Sequence, residues 1–454
     1  MTWLESLLLQ YITWVVETSN KVISLYVENS REIINAFHYI FQNLFTGGLY
    51  IAAFISALFL ILSLVSIGYK KKRPEPVSDE EAPLLTVHIP TMNEVVAVDC
   101  AKRCINSNYP QKKLQIILGD DSDQEDVTKQ LHAFAHEHEN VDVVGREENV
   151  GYKPGNLNNM LDYTNGEFVV VFDSDFLPGS NFLRDIVTPM VRDDTLHAVQ
   201  GRWNPYNAGK SLSAIGGAFI VDVFHHVALP VADRFFGTVV LAGSGECVRR
   251  STLEDLGRWK SGAFTEDTEY SMRLLKQGDR VEYAPYAPID CQVPYTPMDL
   301  FLQQMRWAYG NATALYEHLG TIVKNVMRNP FSKPARAGVY MINLILLGYV
   351  FGFLVIYLTT TGMLSFVTHP IGPIDLSTFF LETSMNFLLT SGLVIISLTA
   401  FVRANRGSLI PRGLISLYTI GIITTVYVNT GIYRALAGKD MKWYLLSKGD
   451  ESDE

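Results

Sequence analysis

The sequence predicts an α/β domain with a mostly parallel sheet, inserted between transmembrane helices. Three observations carry that expectation. Long uncharged apolar blocks lie toward both ends of the chain, short apolar runs alternate with helix-like stretches between them, and acidic clusters follow two of those runs.

Composition narrows the class first. The 454 residues hold 37 Lys+Arg against 47 Asp+Glu, a net charge of −10, which argues against a nucleic-acid partner. Only 19% are charged and 48% are hydrophobic, with a mean hydropathy of +0.12, so the chain is neither disordered nor typical of a purely soluble protein. Cys100, Cys104, Cys247 and Cys291 lack the paired spacing of a zinc site and are too few for a disulfide framework. They read as reduced and structural.

Residues 1–46 read as neither a secretory signal nor a clear span, because the start lacks basic residues and Glu5, Glu17, Glu28 and Glu32 interrupt the apolar positions. Trp3, Leu7, Ile12 and Trp14 suggest an amphipathic, interfacial region, with a helix packed on other spans as the alternative. Residues 47–69 read as a transmembrane helix, since 48–68 are uncharged and long enough for a hydrocarbon layer of ~30 Å. Lys70, Lys71, Lys72 and Arg73 place the following residues on the cytosolic side.

Residues 74–83 form a charged, proline-bearing linker to a soluble domain spanning 84–294. Within it 85–89, 114–118, 141–144 and 168–172 read as buried strands separated by helices. Residues 295–330 read as interfacial helices. Residues 337–434 form a transmembrane region with about three hydrophobic segments at 339–358, 387–402 and 414–433. Lys333, Arg336, Arg403, Arg406 and Arg412 fit an in, out, in pattern. Lys439, Lys442 and Lys448 oppose a third full crossing, and a re-entrant last segment reconciles them. Residues 435–454 are a polar tail whose acidic end is expected to be disordered.

Ligands of parallel sheets bind beyond the carboxyl ends of strands. Asp120, Asp121 and Ser122 follow one strand, and Asp173, Ser174 and Asp175 follow another. Asp173 and Asp175, two apart in extended chain, can offer hard oxygens to a divalent cation. A lone Asp-x-Asp also suits a solvated turn; the second acidic pair on the same rim favours the cation. No dinucleotide fingerprint or P-loop occurs. Thr265, Glu266 and Asp267 precede a helix expected over 268–276, with Thr265 as its cap. An acidic start that complements the helix dipole is the plain alternative. Gln303, Arg306 and Trp307 suit either a site or an interface anchor. His132, His136 and His138 read as a solvated helix face rather than metal ligands.

In order, the sequence shows Asp120-Asp121-Ser122, then Gly151 to Asn156 (GYKPGN), Asp173-Ser174-Asp175-Phe176, Gly243-Ser244-Gly245, Thr265-Glu266-Asp267, and QxxRW at 303–307. This set resembles the membrane-embedded, processive family-2 inverting glycosyltransferases, the group of cellulose, hyaluronan, chitin and glucomannan synthases. Trp443 and Lys448 are similar to a tail that follows the last span in that group. The resemblance does not reach residues 1–46.

It implies a GT-A-type nucleotide-sugar-binding domain, cytosolic and anchored in the plasma membrane. A UDP- or GDP-linked sugar, of glucose or mannose type by a slight preference, is the implied donor, and Mg²⁺ or Mn²⁺ the implied cofactor. Asp267, beside Glu266, is implied as the general base. Asp120, Asp121, Lys153, Asp173, Gln303, Arg306 and Trp307 are implied to hold the donor, and Asp173 and Asp175 the metal. Gly243, Ser244, Gly245, Cys247 and Trp307 are implied to line the acceptor site. The implied partners are a growing glycan or lipid acceptor and membrane lipids, with oligomerisation open. One-step transfer to a lipid or short oligosaccharide and a non-catalytic scaffold are the competing readings.

Overall fold

The computed structural model describes residues 3–369 and 375–444; Lys448 and the acidic end of the tail lie outside the described residues. Helix α1 (Trp3–Ile67) is followed by β1 (Leu85–Thr91), α2 (Ala97–Ile105), β2 (Leu114–Asp120), α3 (Glu125–His136), β3 (Val141–Gly145), α4 (Tyr152–Leu161) and β4 (Phe168–Val171). Next come β5 (Leu177–Pro178), α5 (Phe182–Arg192), β6 (Leu196–Pro205), α6 (Leu212–Val223), α7 (Leu229–Phe236), β7 (Glu246–Arg249), α8 (Arg250–Asp255), α9 (Glu266–Gln277) and β8 (Arg280–Cys291). Helices α10 (Pro297–Arg328), α11 (Lys333–Val367), α12 (Leu376–Thr390), α13 (Gly392–Arg403), α14 (Ile410–Tyr418) and α15 (Ile420–Leu436) complete the order.

Two compact units form. One comprises Met1–Ala57 and Phe353–Gly392, the other Leu58–Gly352 and Leu393–Glu454. The second holds an eight-stranded sheet in the order β3-β2-β1-β4-β7-β6-β8-β5, with four parallel pairings and three antiparallel ones made by β7 and β5. The four expected strands are β1 to β4. Their alternation divides the core in two. Val87, Ile89, Ile116, Leu118 and Val170 pack on one face, and Ile117, Val169 and Val171 pack on the other. Each such side chain contributes roughly 1.5–3 kcal/mol on full burial, and a one-residue slip in register would send each set to the opposite face and misfit both halves of the core.

Helices α6 and α7, joined by a π-helical turn at Phe224–Ala228, are together long and apolar enough to cross a membrane. Yet 67% of their apolar stretch is buried inside this unit, where Ile215, Ala218 and Phe219 pack on Phe401. The segment expected at 295–330 is one helix, α10, capped by Thr296, whose Oγ1 accepts from Asp299 N at 3.2 Å.

In the first unit small residues allow close helix approach. Gly48 lies against Tyr357 and Leu358, Gly362 lies against Phe45, and Gly392 N donates to Ser56 Oγ at 3.2 Å. Helix α1 continues unbroken across position 46, through both the expected interfacial region and the expected span. The segment at 387–402 falls on the pair α12 and α13, bent by 52°, and that at 414–433 on α14 and α15, also bent by 52°. Among the described residues two helices are long and apolar enough to cross a membrane, or up to four if each bent pair is one span.

Candidate active site

Parallel register sets Thr91 opposite Asp120 and His88 opposite Val171, so the loops after β1, β2 and β4 leave one rim. Asn93, in the left-handed region at φ 59°, joins two of them. Its Oδ1 accepts from Asp123 N and Gln124 N, both at 3.1 Å, and its own N donates to Ser122 Oγ at 2.8 Å. Asn tolerates this backbone conformation because its short amide bonds locally.

Asp120 accepts from Ser122 N at 3.0 Å and Thr128 Oγ1 at 2.6 Å. Asp121 takes the Arg146 fork, with Nε at 2.7 Å and Nη2 at 2.6 Å. Arg146 also donates to Val150 O and Tyr152 O, so one guanidinium fixes the loop that leads into α4. Sequence reasoning missed Arg146, which stands 25 positions from its partner.

Lys153, near the start of α4, joins three further elements. Its Nζ lies 2.7 Å from Asp173 Oδ1, 2.9 Å from Glu266 Oε1 and 2.7 Å from Gly243 O. The antiparallel pairing of β7 with β4 sets Glu246 opposite Val171, which returns residues 243–245 to the end of β4. There Asp173 N donates to Ser244 Oγ at 2.9 Å. Backbone conformation favours glycine at 243, where φ is +80°. The Cβ of any other residue would touch the site at ordinary contact distance, 3.4 Å from Asp267 Oδ2 and 3.5 Å from Lys153 Nζ. Glu246, almost fully buried and also missed from the sequence, accepts from Gly243 N at 2.9 Å.

Four carboxylates thus crowd one ammonium. Burial, reinforced by Glu266 and Asp173, pushes the Asp267 carboxyl up to about 7, against the pull of the Thr268 N–H and Lys153. Burial and the neighbouring Asp267 push Glu246 up to about 8. Burial would lower the Lys153 ammonium, but Asp173 and Glu266 outweigh it and raise it above its ordinary range. Thr265 holds the cap position of α9 yet makes no capping bond; its hydroxyl is buried, has no partner, and packs against Gly310 of α10. The expected side-chain cap is therefore corrected.

From α10, half-buried Arg306 donates to Phe264 O at 3.4 Å, and its guanidinium lies 4.4 Å from the Trp443 ring. Trp443 stacks on Tyr152 at 5.4 Å and Phe264 at 5.7 Å. Trp307 lies 6.5 Å from Trp203, whose Nε1 donates to Ser244 O at 2.8 Å. Gln303 is half-buried, and its Oε1 accepts from Gln304 Nε2 at 3.3 Å. Ser174 donates to Glu94, tying the Asp173 turn to the rim of β1. Cys247 corrects another expectation: it is fully buried in the sheet core, so it presents no surface to an acceptor. Gly243, Ser244 and Gly245 are buried as well and support Asp173 and Trp203 from beneath.

The model described as glycosyl transferase family group 2 matches residues 168–402, more than half of the chain. The chain belongs to that family. A glycosyl transferase family 2 model also matches residues 86–214. Similar curated proteins include a probable glycosyltransferase, YdaM, of Bacillus subtilis, 28% identical over 54% of this chain and 59% of the relative. Glucomannan 4-beta-mannosyltransferase 1 of Oryza sativa subsp. japonica is 26% identical, over 60% and 56%. Beta-monoglucosyldiacylglycerol synthase of Nostoc is 27% identical, over 60% and 59%. The chain thus spans less than two thirds of the length of these relatives. A solved mannosyltransferase, PcManGT from Pyrobaculum calidifontis with GDP-Man and Mn²⁺, is 16% identical with a TM-score of 0.57, covering 90% of this chain and 100% of that one. The fold is of GT-A type.

For this glycosyltransferase family member, the donor set can be tested against a metal. Among the described residues no group of three or more His, Cys, Asp or Glu is placed to hold one. The two rim aspartates, Asp173 with 36% of its side chain exposed and half-buried Asp175, supply hard oxygens only. Burial first, and the neighbouring carboxylates second, raise the Asp267 and Glu246 carboxyls beside them. This chemistry fits Mg²⁺ or Mn²⁺ completed by a ligand's own oxygens, and not a thiolate or imidazole metal.

Proposed function

We propose that the protein is a membrane-embedded inverting glycosyltransferase that extends a β-linked polysaccharide from a nucleotide-diphosphate sugar. The observation that carries this reading is Lys153, which holds Asp173 and Glu266 at 2.7 and 2.9 Å and so brings the end of β4 against the start of α9. Asp267, held next to that ammonium with a carboxyl near neutrality, suits a general base. It takes the proton of an acceptor hydroxyl as that oxygen bonds the anomeric carbon, while the bond from that carbon to the diphosphate breaks on the opposite face. The configuration inverts and the nucleoside diphosphate leaves with the bonding electrons.

Lys153 and Arg306 counter the diphosphate charge, and Glu266 positions Lys153 rather than the acceptor. Asp120 and Asp121 keep lone pairs beyond those used by Ser122, Thr128 and Arg146, and accept from the base. Trp307 offers its face to an acceptor pyranose. A divalent cation at Asp173 and Asp175 would neutralise the leaving group. The run Lys70 to Arg73 and the arginines that follow α13 favour a cytosolic position for the site, in a chain anchored in the plasma membrane.

Glucose or mannose is the favoured sugar, and the likeness to a glucomannan mannosyltransferase supports this. Transfer to a single lipid is the second reading, supported by the likeness to a glucosyldiacylglycerol synthase and by at most four candidate spans among the described residues. Reconstituted protein supplied with UDP-glucose or GDP-mannose and Mn²⁺ decides between them. A long polymer supports extension, a single-sugar lipid adduct supports the second reading, and no nucleotide release from any UDP- or GDP-sugar overturns both.

A further inference from the structure

A second cavity, of about 500 Å³, opens on the same unit and is lined by Arg202, Asn204, Asp290, Arg403 and Asn405. Trp203, between Arg202 and Asn204 on β6, turns the other way, toward Ser244 and Trp307. Strand alternation therefore sets this cavity apart from the acid-rich site. Its polar groups are fixed in advance. His226 in the π-helical turn holds both guanidiniums: its Nε2 lies 3.3 Å from Arg202 Nη1, and its carbonyl accepts from Arg403 Nε at 2.8 Å. Buried Asp222 accepts from Arg406 Nε at 2.9 Å, Arg406 donates to Asn204 Oδ1 at 2.9 Å, and Asn204 donates to Asp290 Oδ1 at 2.6 Å.

Arg406 is neutralised by Asp222, but among the described residues no carboxylate pairs with Arg202 or Arg403. Among the described residues Arg202 bonds Pro285 O and His226, and Arg403 the His226 carbonyl, so their planar N–H forks face no described carboxylate. The lining carries two cations and one anion, Asp290, a surplus of one positive charge.

We propose that this cavity binds the phosphodiester of an anionic headgroup, with Arg202 and Arg403 forking its two non-bridging oxygens. A phosphodiester carries one negative charge and matches the surplus, and Arg is the side chain suited to bidentate phosphate recognition. A volume of this size holds a small polar headgroup. Arg403 is also the first charged residue after the apolar run of α13, where a chain leaves hydrocarbon for the headgroup layer. That last argument rests on the membrane reading above; the charge and fork arguments do not.

The test uses the full chain purified in detergent, with native mass spectrometry and titration of three probes: phosphatidylglycerol, phosphatidylcholine and soluble glycerophosphoglycerol. One phosphatidylglycerol per chain is expected, bound more tightly than the zwitterionic lipid. Arg202→Gln and Arg403→Gln each weaken it about tenfold, the order of one lost charge-assisted pair. Asp290→Asn, which keeps the acceptor for Asn204 but removes the opposing charge, tightens it several-fold, a gain that misfolding cannot imitate. Equal affinity for glycerophosphoglycerol would assign the site to a soluble phosphodiester and would survive failure of the membrane reading. Binding unchanged in both arginine variants, or no phosphodiester bound, overturns the proposal.

Discussion

Arg146 holds Asp121 through both carboxylate oxygens, at 2.7 and 2.6 Å, and the two side chains are only 12% and 6% exposed. Removing one partner of such a pair strands the other charge, which costs about 3–5 kcal/mol when burial is complete. Arg146→Gln is therefore expected to lower the melting temperature by several degrees and to weaken nucleotide binding, because the loop from 146 to 152 loses its tie to the rim. Melting curves and nucleoside diphosphate titration read the two effects. A variant that binds nucleotide like the parent would show that the clamp serves stability alone.

The same pair shows where the sequence stops being legible. Asp120 and Asp121 can be read from the chain because they follow an apolar run that only a buried strand explains. Arg146 cannot, since nothing local distinguishes a guanidinium that reaches back 25 positions. The first four strands were legible for the same reason, whereas β5 has two residues, and Gly201 in β6 and Pro285 and Pro288 in β8 interrupt the pattern that marks a strand. Glu246 was hidden by the antiparallel return of β7, a topological fact rather than a pattern. Thr265 looked like a cap, but packing against Gly310 turned its hydroxyl into a buried group. Cys247 was misplaced because proximity to Gly243 in sequence does not fix the face of a strand.

If Asp267 is the base, it works only when ionised, and its carboxyl is pushed up to about 7. The rate should rise about tenfold per pH unit below that value and level off above it. Asp267→Asn should lower kcat by roughly 10²–10⁴-fold and leave donor affinity nearly unchanged. Nucleotide release between pH 5 and 9 measures both. A flat profile in the parent, or full turnover in the variant, removes Asp267 from the role.

Glu246 makes a separate prediction about stability. Its carboxyl keeps a proton up to about 8 in the fold and gives it up near 4.5 in the unfolded chain. Between those values the folded state binds more protons, so this group's contribution to stability falls as pH rises through the window. Glu246→Gln removes that slope. The variant should melt with the parent at pH 5 and above it at pH 8.5, by on the order of a few kcal/mol. Equal differences at both pH values would mean that the group titrates alike in both states.

The proposed cation at the oxygen-only rim predicts a divalent cation dependence. Chelation should stop nucleotide release and Mn²⁺ should restore it, while Asp175→Asn should raise the half-activating Mn²⁺ concentration by about tenfold, the loss of one ligand charge. Full activity in the presence of chelator would place the charge compensation on Lys153 and Arg306 alone.

Gly243 joins backbone conformation to chemistry. With φ at +80°, an alanine there costs about 1–2 kcal/mol in the left-handed region. The added methyl would also touch the site, lying in ordinary contact 3.4 Å from Asp267 Oδ2 and 3.5 Å from Lys153 Nζ. A methyl at that distance excludes water from the carboxylate, and relaxation of the strained turn would shift Gly243 O, which accepts from Lys153 Nζ. Gly243→Ala should therefore lower kcat by roughly 10²-fold, as small misplacements of a reacting group do, with a melting shift of only a few degrees. It should also move the acid limb of the rate profile to higher pH, since a drier carboxyl holds its proton longer. Loss of stability with an unshifted profile would confine Gly243 to the turn, with no influence on Asp267.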